Sequence, residues 1–152
     1  MNILGVRAAP KVASFVVYNT DDTSIKCADV IKIPSTMDTP EKLKYIRNNI
    51  LDILRFYHIE VAAIRVAESN SKNLNIDRLY IEAVIQEAFS SSEIKRYFTI
   101  RQNGIKSSLK LDQENYKAVL NSKSTINKLD NSSFTPETNE ALLSALAAEA
   151  RS

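Results

Sequence analysis

The chain has 152 residues, of which 44% are hydrophobic and 25% are charged, which is the composition of one folded globular domain. A formal net charge of +2 permits contact with nucleic acid but does not require it. Cys27 is the only cysteine and His58 the only histidine, which excludes an intrachain disulfide and a Cys/His zinc site. No apolar run approaches the roughly 20 residues that cross a bilayer, and no signal peptide is recognisable, so we expect a cytoplasmic protein with no membrane partner.

The first third of the sequence predicts three sequential antiparallel strands. Residues 3–6 form a short apolar run, residues 13–18 are β-branched and aromatic, and residues 28–33 alternate until Pro34. Asn, Asp, Thr and Ser fill positions 19–24, where their short side chains can hydrogen-bond their own backbone in a turn. A β meander is the simplest interpretation.

Helices and strands then alternate. Thr39-Pro40-Glu41 marks a helix start, because a hydroxyl can cap free amides, proline suits the first turn and an acid favours the positive end of the helix dipole. Residues 61–66 predict a buried strand, 73–89 a second helix and 96–100 a fifth strand. The apolar side of the first helix comprises Leu43, Ile46, Ile50, Ile53, Leu54 and Tyr57, and that of the second comprises Ile76, Leu79, Tyr80, Ala83 and Val84.

The last third gives weaker signals. Gly104 and the neighbouring serines favour a loop, residues 113–120 a short helix and residues 121–133 a polar segment, so we predict that 102–133 is rich in loops. Thr135-Pro136-Glu137 repeats the earlier helix-start signal. The alanine-rich run behind it predicts a closing helix that packs tightly on the sheet.

The element order β-β-β-α-β-α-β-α predicts one α/β domain over residues 1–152, an RNase H-like mixed five-stranded sheet flanked by helices. Three stretches resemble RuvC-type Holliday-junction resolvases. Residues 3–7, ending in Arg7, are similar to that family's first strand, in which a catalytic aspartate follows the hydrophobic run. Ala63-Ile64-Arg65 resembles the strand whose third residue is a catalytic glutamate. Glu137-Thr138-Asn139-Glu140-Ala141 resembles the start of the last helix, where two aspartates stand three apart.

Residues 97–106 are a weaker match, to the fifth strand of the family and the basic segment behind it. The chain is also similar to short bacterial proteins that are degenerate members of the same fold. The resemblance implies a pair of Mg²⁺ ions that align a water on a scissile phosphate and are held by clustered carboxylates. Arg7 and Arg65 occupy the first two acid positions, whereas Glu137 and Glu140 keep carboxylates at the other two.

An arginine at an acid position places a fixed cation where a divalent metal would bind. We therefore expect no bound metal. Both arginines suit phosphate, and they suit equally the formation of salt bridges with Glu137 and Glu140. The candidate nucleic-acid-binding residues are Arg7, Arg65, Arg101, Lys106 and Lys110.

Three functions follow from these observations. The first is a catalytically degenerate domain that binds DNA, RNA or a nucleoprotein partner. The second is a metal-dependent, structure-selective endonuclease that uses Mg²⁺ and the acids Glu68, Glu137 and Glu140. Glu68 is three residues beyond Arg65, so strand alternation places the two on opposite faces unless a bulge intervenes. The third is a protein-interaction subunit of a larger bacterial assembly, with a homodimer implied by the resemblance alone.

Overall fold

The computed structural model describes every residue from 1 to 152. The strands are β1 (Asn2–Ala8), β2 (Val12–Asn19), β3 (Ser24–Lys32), β4 (Ile59–Arg65) and β5 (Arg96–Ile100). The helices are α1 (Thr39–Phe56), α2 (Ile76–Ser91), α3 (Gln102–Leu109), α4 (Gln113–Leu120) and α5 (Pro136–Arg151). None of these helices combines the length and the apolar character that crossing a bilayer requires.

All five strands belong to one sheet with the order β3-β2-β1-β4-β5. The β1–β2 and β2–β3 pairs are antiparallel, and the β1–β4 and β4–β5 pairs are parallel. The predicted mixed five-stranded sheet is therefore confirmed. The parallel pairing of β1 with β4 matters most for the site, because it brings the ends of these two strands to the same edge.

One face of the sheet is covered by α1 and α2. The helix α1 is capped by Asp38 rather than by Thr39: the Asp38 carboxylate accepts the Glu41 N–H, and the Glu41 carboxylate accepts the Asp38 N–H. Its predicted apolar stripe packs as expected, with three residues buried and the rest packed against them. The buried residues are Ile46, Ile50 and Leu54.

The helix α2 turns a different side to the sheet from the one predicted. Ile76 is 63% and Tyr80 47% exposed, so most of the predicted apolar stripe faces outward, and of its members only Val84 packs against the core. The core side consists of Ile81, Ile85, Ala88 and Phe89. Both sets recur at helical spacing, so periodicity alone does not decide between them, and packing on the sheet selects the second set.

The opposite face of the sheet is covered by α5, which approaches unusually closely. A Cβ at Gly5 would lie 1.9 Å from the Ala141 carbonyl oxygen and 2.8 Å from the Ala145 nitrogen. Only glycine fits at this crossing, and the alanines of α5 keep the helix surface flat against the strand. The predicted tight packing of the last helix is confirmed.

The predicted loop around Gly104 is wrong, because residues 102–109 form α3. A Cβ at Gly104 would lie 2.9 Å from Arg151 Nη2 and 3.0 Å from Ile100 Cγ1, so glycine allows a close approach of side chains there and does not mark a turn. Residues 113–120 form the predicted short helix. Residues 121–133 contain no helix or strand, and Asn131 fastens them to α5 by donating to Asn139 Oδ1 at 3.0 Å.

Candidate functional site

Two arginines lie side by side where β1 and β4 end. Arg7 and Arg65 are direct partners in the parallel register. Because side chains alternate along a strand, Arg7 shares a face with Ile3 and Gly5, and this face packs against α5. Two adjacent guanidinium groups repel each other, so their placement here requires a nearby negative charge.

The helix α5 supplies that charge through Glu140. Thr135 caps the helix by accepting the Thr138 N–H, which sets Glu140 near the helix start and over the strand ends. Arg65 Nε lies 2.8 Å from Glu140 Oε2, and Arg7 Nε lies 3.6 Å from Glu140 Oε1. Glu140 is 8% exposed and Arg65 7% exposed, so one carboxylate joins two arginines in a largely dry environment.

These contacts are ionic rather than well-directed hydrogen bonds. The separation of Arg65 Nε and Glu140 Oε2 is short, but neither atom, nor Arg7 Nε, has a hydrogen-bond partner of acceptable geometry. Each guanidinium is also held by the backbone: Arg7 Nη1 donates to the Ala8 carbonyl at 2.7 Å, and Arg65 Nη1 donates to the Val66 carbonyl. The interpretation of both arginines as salt-bridge partners of Glu140 is confirmed, whereas Glu137 is half-buried and forms no ion pair.

Glu68 also lies at this site, contrary to the placement expected from strand alternation. Its Oε2 accepts from Arg65 Nη1 at 3.1 Å and from the Gln102 N–H at 3.5 Å. Alternation does not apply because β4 ends at Arg65. The chain leaves the sheet there and carries the Glu68 side chain back toward the arginine.

The structure adds Arg78 and Glu82, neither of which was predicted from the sequence. Glu82 is 4% exposed, and its Oε2 accepts from the Ala67 N–H at 2.9 Å and from Arg78 Nε at 2.8 Å. Burial lowers the pKa of Arg78, and the positive charges of Arg7 and Arg65 lower it further, against the opposing effect of Glu82. The sequence does show an acid four residues after an arginine, which is helical spacing. Recognising it as part of the site required knowing which side of α2 faces the sheet.

Of the other basic candidates, Arg101 alone reaches this site. Its Nε donates to the Ala67 carbonyl at 2.9 Å. Lys106 Nζ donates instead to Gln113 Oε1 at 2.7 Å, and the exposed Lys110 ends α3. We call Arg7, Arg65, Arg78 and Arg101 the arginine cluster.

Tyr116 of α4 borders the same charges. It is 2% exposed, and burial raises its pKa. The Glu140 carboxylate raises the pKa further, while the Arg65 guanidinium lowers it. The phenol is therefore kept neutral beside an ion pair.

The residues at the strand ends do not fit a pair of magnesium ions. Mg²⁺ binds oxygen ligands, usually carboxylates and water. No group of three or more His, Cys, Asp or Glu residues in the chain is placed to hold a metal ion. The carboxylate of Glu140, nearest the strand ends, contacts two guanidinium groups, which would repel a divalent cation.

The fold is that of the RNase H-like class, with α1 and α2 on one face of a mixed sheet and α5 on the other. Within that class, the fold is similar to that of RuvC. The Thermus thermophilus RuvC structure matches with a TM-score of 0.77 at 14% identity, over 99% of this chain and 94% of RuvC. The T. thermophilus RuvC in complex with a Holliday junction substrate matches with a TM-score of 0.71 at 14% identity, over 99% and 93% of the two chains.

The yeast mitochondrial Holliday junction resolvase Ydc2 matches with a TM-score of 0.57 at 13% identity, over 97% of this chain and 77% of Ydc2. No protein-family model and no curated protein sequence matches the chain. At such low identity, the structural matches establish a shared fold.

Proposed function

We propose that this chain is a RuvC-like domain that binds nucleic acid through the arginine cluster and does not cleave it. The observation that carries the proposal is the contact of Arg7 and Arg65 with Glu140 at the ends of β1 and β4. These are the positions at which the resemblance to RuvC-type resolvases implies catalytic acids. The RuvC structure in complex with a Holliday junction substrate supports nucleic acid as the partner.

The charge balance of the site favours an anionic ligand. The four arginines of the cluster face three carboxylates, those of Glu68, Glu82 and Glu140. One positive charge is therefore left over. A guanidinium fork matches the oxygens of a phosphate and stays charged at any physiological pH, so a phosphate group would complete the neutralisation.

The endonuclease hypothesis has less support. Of its three acids, Glu68 and Glu140 both contact Arg65, so a guanidinium lies where a metal would have to bind between them. Glu137 makes no ion pair and no side-chain hydrogen bond. This arrangement offers no shared set of oxygen ligands for a metal pair.

Binding is tested by fluorescence anisotropy with labelled four-way junction, duplex DNA, single-stranded DNA and RNA over a series of salt concentrations. We expect affinity to fall with salt, by a slope of about −0.9 per neutralised phosphate in log–log form on duplex DNA. Arg7→Gln should weaken binding and reduce the slope by about one. Arg47→Gln is the matched control. It removes the same charge, but from a residue of α1 that pairs with Glu87 of α2 and does not belong to the arginine cluster.

Absence of salt-sensitive binding to all four ligands would refute the proposal. Cleavage is assayed separately with the four-way junction and Mg²⁺ or Mn²⁺, with Glu137→Ala as the accompanying variant. Cleavage by the natural sequence that disappears in this variant would establish the endonuclease instead.

We further propose that the chain forms a homodimer through the outward face of α2. Leu74, Ile76, Leu79 and Tyr80 are large apolar residues exposed at one end of this helix, by 42%, 63%, 37% and 47%. Ile76, Leu79 and Tyr80 recur at helical spacing and form one stripe, which is the surface that helix–helix packing buries. A second copy would offer the same stripe across a two-fold axis.

Sedimentation over a range of protein concentrations tests this dimer. Ile76→Lys should shift the equilibrium to monomer, because it places a charge in the apolar contact. Phe56→Lys is the control, since Phe56 is 75% exposed at the end of α1 and outside the stripe. A natural sequence that sediments as a monomer at every concentration, or an Ile76→Lys variant that still dimerises, would contradict this interface.

A further inference from the structure

A cleft opens beside Arg65, between the end of β4 and the start of α2. Its volume is about 380 Å³, toward the small end of the roughly 300–1,000 Å³ of ligand pockets. Seven of its nine lining residues are polar or charged. The lining residues are Arg65, Ala67, Glu68, Asn70, Ser71, Asn73, Leu74, Asn75 and Arg78.

The two arginines of this cleft differ in how the protein uses them. Arg65 is almost fully buried and is engaged by Glu68, Glu140 and the Val66 carbonyl, yet its Nε lacks a directed hydrogen bond. Arg78 donates to the protein only through Nε, to Glu82. Its Nη1 and Nη2 donors therefore remain for a ligand.

Arg78 has one carboxylate partner, Glu82, and two other guanidinium groups nearby. Burial lowers the pKa of Arg78, and the like charges of Arg7 and Arg65 lower it further, against the opposing effect of Glu82. Glu68 is the one acid in the cleft lining, and Arg65 Nη1 contacts it at 3.1 Å. An anion in the cleft would be attracted by both guanidinium groups and would relieve the repulsion between them.

The rest of the lining supplies neutral polar groups. Asn70, Ser71, Asn73 and Asn75 lie along one segment between β4 and α2. Asn75 caps α2 by accepting the Arg78 N–H at 3.0 Å through its side-chain oxygen, which leaves its amide nitrogen without a partner in the protein. Amide and hydroxyl donors of this kind bind phosphate oxygens without adding charge.

We propose that this cleft binds one phosphate group, held between the guanidinium groups of Arg65 and Arg78. That the phosphate belongs to a nucleic acid strand rests on the proposed function, whereas the phosphate site itself rests on the cleft. A phosphate within a strand and a phosphate at its 5′ end share the same chemistry. Arg78, the loop asparagines and Glu82, which orients Arg78, thereby become parts of the binding site.

The test follows the arginine Nε–H resonances by two-dimensional ¹H–¹⁵N NMR during three titrations. The probes are inorganic phosphate, a short oligothymidylate with a 5′-phosphate, and the same oligothymidylate with a 5′-hydroxyl. We expect the Nε–H signals of Arg65 and Arg78 to shift with inorganic phosphate and with the phosphorylated strand. A shift with the hydroxyl strand as well assigns the site to internal phosphates, and no shift with it assigns the site to the 5′ end.

The decisive variant is Arg78→Gln combined with Glu82→Gln. It removes a cation and its carboxylate together, so the net charge of the site is unchanged, and the side-chain amide oxygen introduced at position 82 can still accept the Ala67 N–H. We expect it to weaken binding of the phosphorylated strand about tenfold, the effect of losing one charge-assisted contact. Arg78→Lys, which keeps the charge but loses the fork, should weaken it by a smaller factor, and Arg47→Gln should not change it.

The outcomes separate the two proposals. Nucleic acid that binds without shifting Arg78, and that binds the double variant as tightly as the natural sequence, overturns the phosphate cleft and leaves the proposed function standing. Inorganic phosphate that shifts both arginines in a protein that binds no nucleic acid supports the cleft and overturns the proposed function. Absence of every shift and of all binding overturns both.

Discussion

The two faces of the sheet are built from the same strands but present different kinds of side chain to the helices that cover them. Toward α1 and α2, β1 presents Leu4, Val6 and Ala8, which join a core of 19 buried apolar residues. Toward α5, the same strand presents Ile3, Gly5 and Arg7. On the first face β1 is apolar from Leu4 to Ala8, whereas on the second it passes from a large side chain at Ile3 to none at Gly5 and then to a cation at Arg7.

Because of this difference, we expect the α1/α2 face to contribute mainly to stability and the charged end of the α5 face to contribute to binding. The α1/α2 face holds the larger apolar core, 19 buried residues against 11 in the main cluster under α5, and apolar burial is the main favourable term in folding. The α5 face is restricted by close backbone contact at Gly5 and ends in buried charges, which cost desolvation energy unless they are fully paired. Changes on the α5 face should therefore have larger and more specific effects than conservative changes on the α1/α2 face.

The largest effect is expected from Gly5→Ala. The added Cβ would overlap the backbone of Ala141 and Ala145, which cannot move without displacing α5. Ordinary overpacking costs about 1–3 kcal/mol, and a clash with backbone should exceed about 4 kcal/mol, in the range of exceptional substitutions. Urea denaturation measures the free energy of unfolding.

Ile64→Val, in the apolar core of the other face, is the comparison for Gly5→Ala. It should cost about 0.5–1.5 kcal/mol, the usual value for one buried methylene. Equal losses for the two variants would show that α5 can shift to accept a side chain, and the contrast between the faces would then be wrong.

Much of this architecture follows from short-range signals in the sequence. Pro40 and Pro136 mark the first turns of α1 and α5, and β-branched runs mark the buried strands, because these effects depend on neighbouring residues alone. The outward rotation of α2 was not predictable in this way, since two apolar stripes compete on that helix and only packing on the sheet decides between them. Gly104 was misinterpreted for a related reason. Its lack of a side chain allows close contact with Ile100 in the folded chain, and a local turn signal does not reveal this.

The site was predictable only where strand ends and helix starts define it. Arg7 and Arg65 could be located because each lies at the end of a recognisable strand, and Glu140 because it follows the helix-start signal at residues 135–137 within one turn. Glu68 depends on where the β4 pairing stops, which alternation does not reveal. The residues Arg78, Glu82 and Tyr116 come from two helices that meet the strand ends only in the folded chain, so no local pattern connects them.

Removing Glu140 should have the second largest effect. Glu140→Ala leaves two guanidinium groups without their shared carboxylate in a buried place, and breaking a buried ion pair costs about 3–5 kcal/mol. Replacing these three charges, with Arg7→Leu, Arg65→Met and Glu140→Leu, should recover most of that loss, because apolar groups need no partner and Glu68, which also loses Arg65, stays partly exposed to water. Urea denaturation again measures both.

The triple variant also sharpens the separation of stability from binding. It should fold and yet lose salt-sensitive binding of nucleic acid. Glu140→Ala should be less stable, but its folded molecules keep Arg7 and Arg65 and should therefore still bind. A triple variant that binds as tightly as the natural sequence would show that the arginines serve the fold alone.

The smallest effect, confined to high pH, is expected from Tyr116→Phe. Burial, and then the charge of Glu140, raise the pKa of Tyr116 above its ordinary value near 10. The unfolded chain therefore releases this proton at a lower pH than the folded protein does. Its contribution to stability is complete below about pH 10 and is lost as the pH rises from there through the raised pKa of the folded state.

Removing the hydroxyl should flatten that decline, by at most about 1.4 kcal/mol per pH unit, and change stability at neutral pH by no more than about 1 kcal/mol. Urea denaturation between about pH 8 and pH 11 measures the slope for both proteins. Tyr18, also packed on the α5 side with a pKa raised by burial, Glu149 and Asp22, leaves a residual slope in the variant. An unchanged slope in Tyr116→Phe would mean that the phenol is ionised as easily in the fold as in water, and that the ion pair beside it is more hydrated than its burial implies.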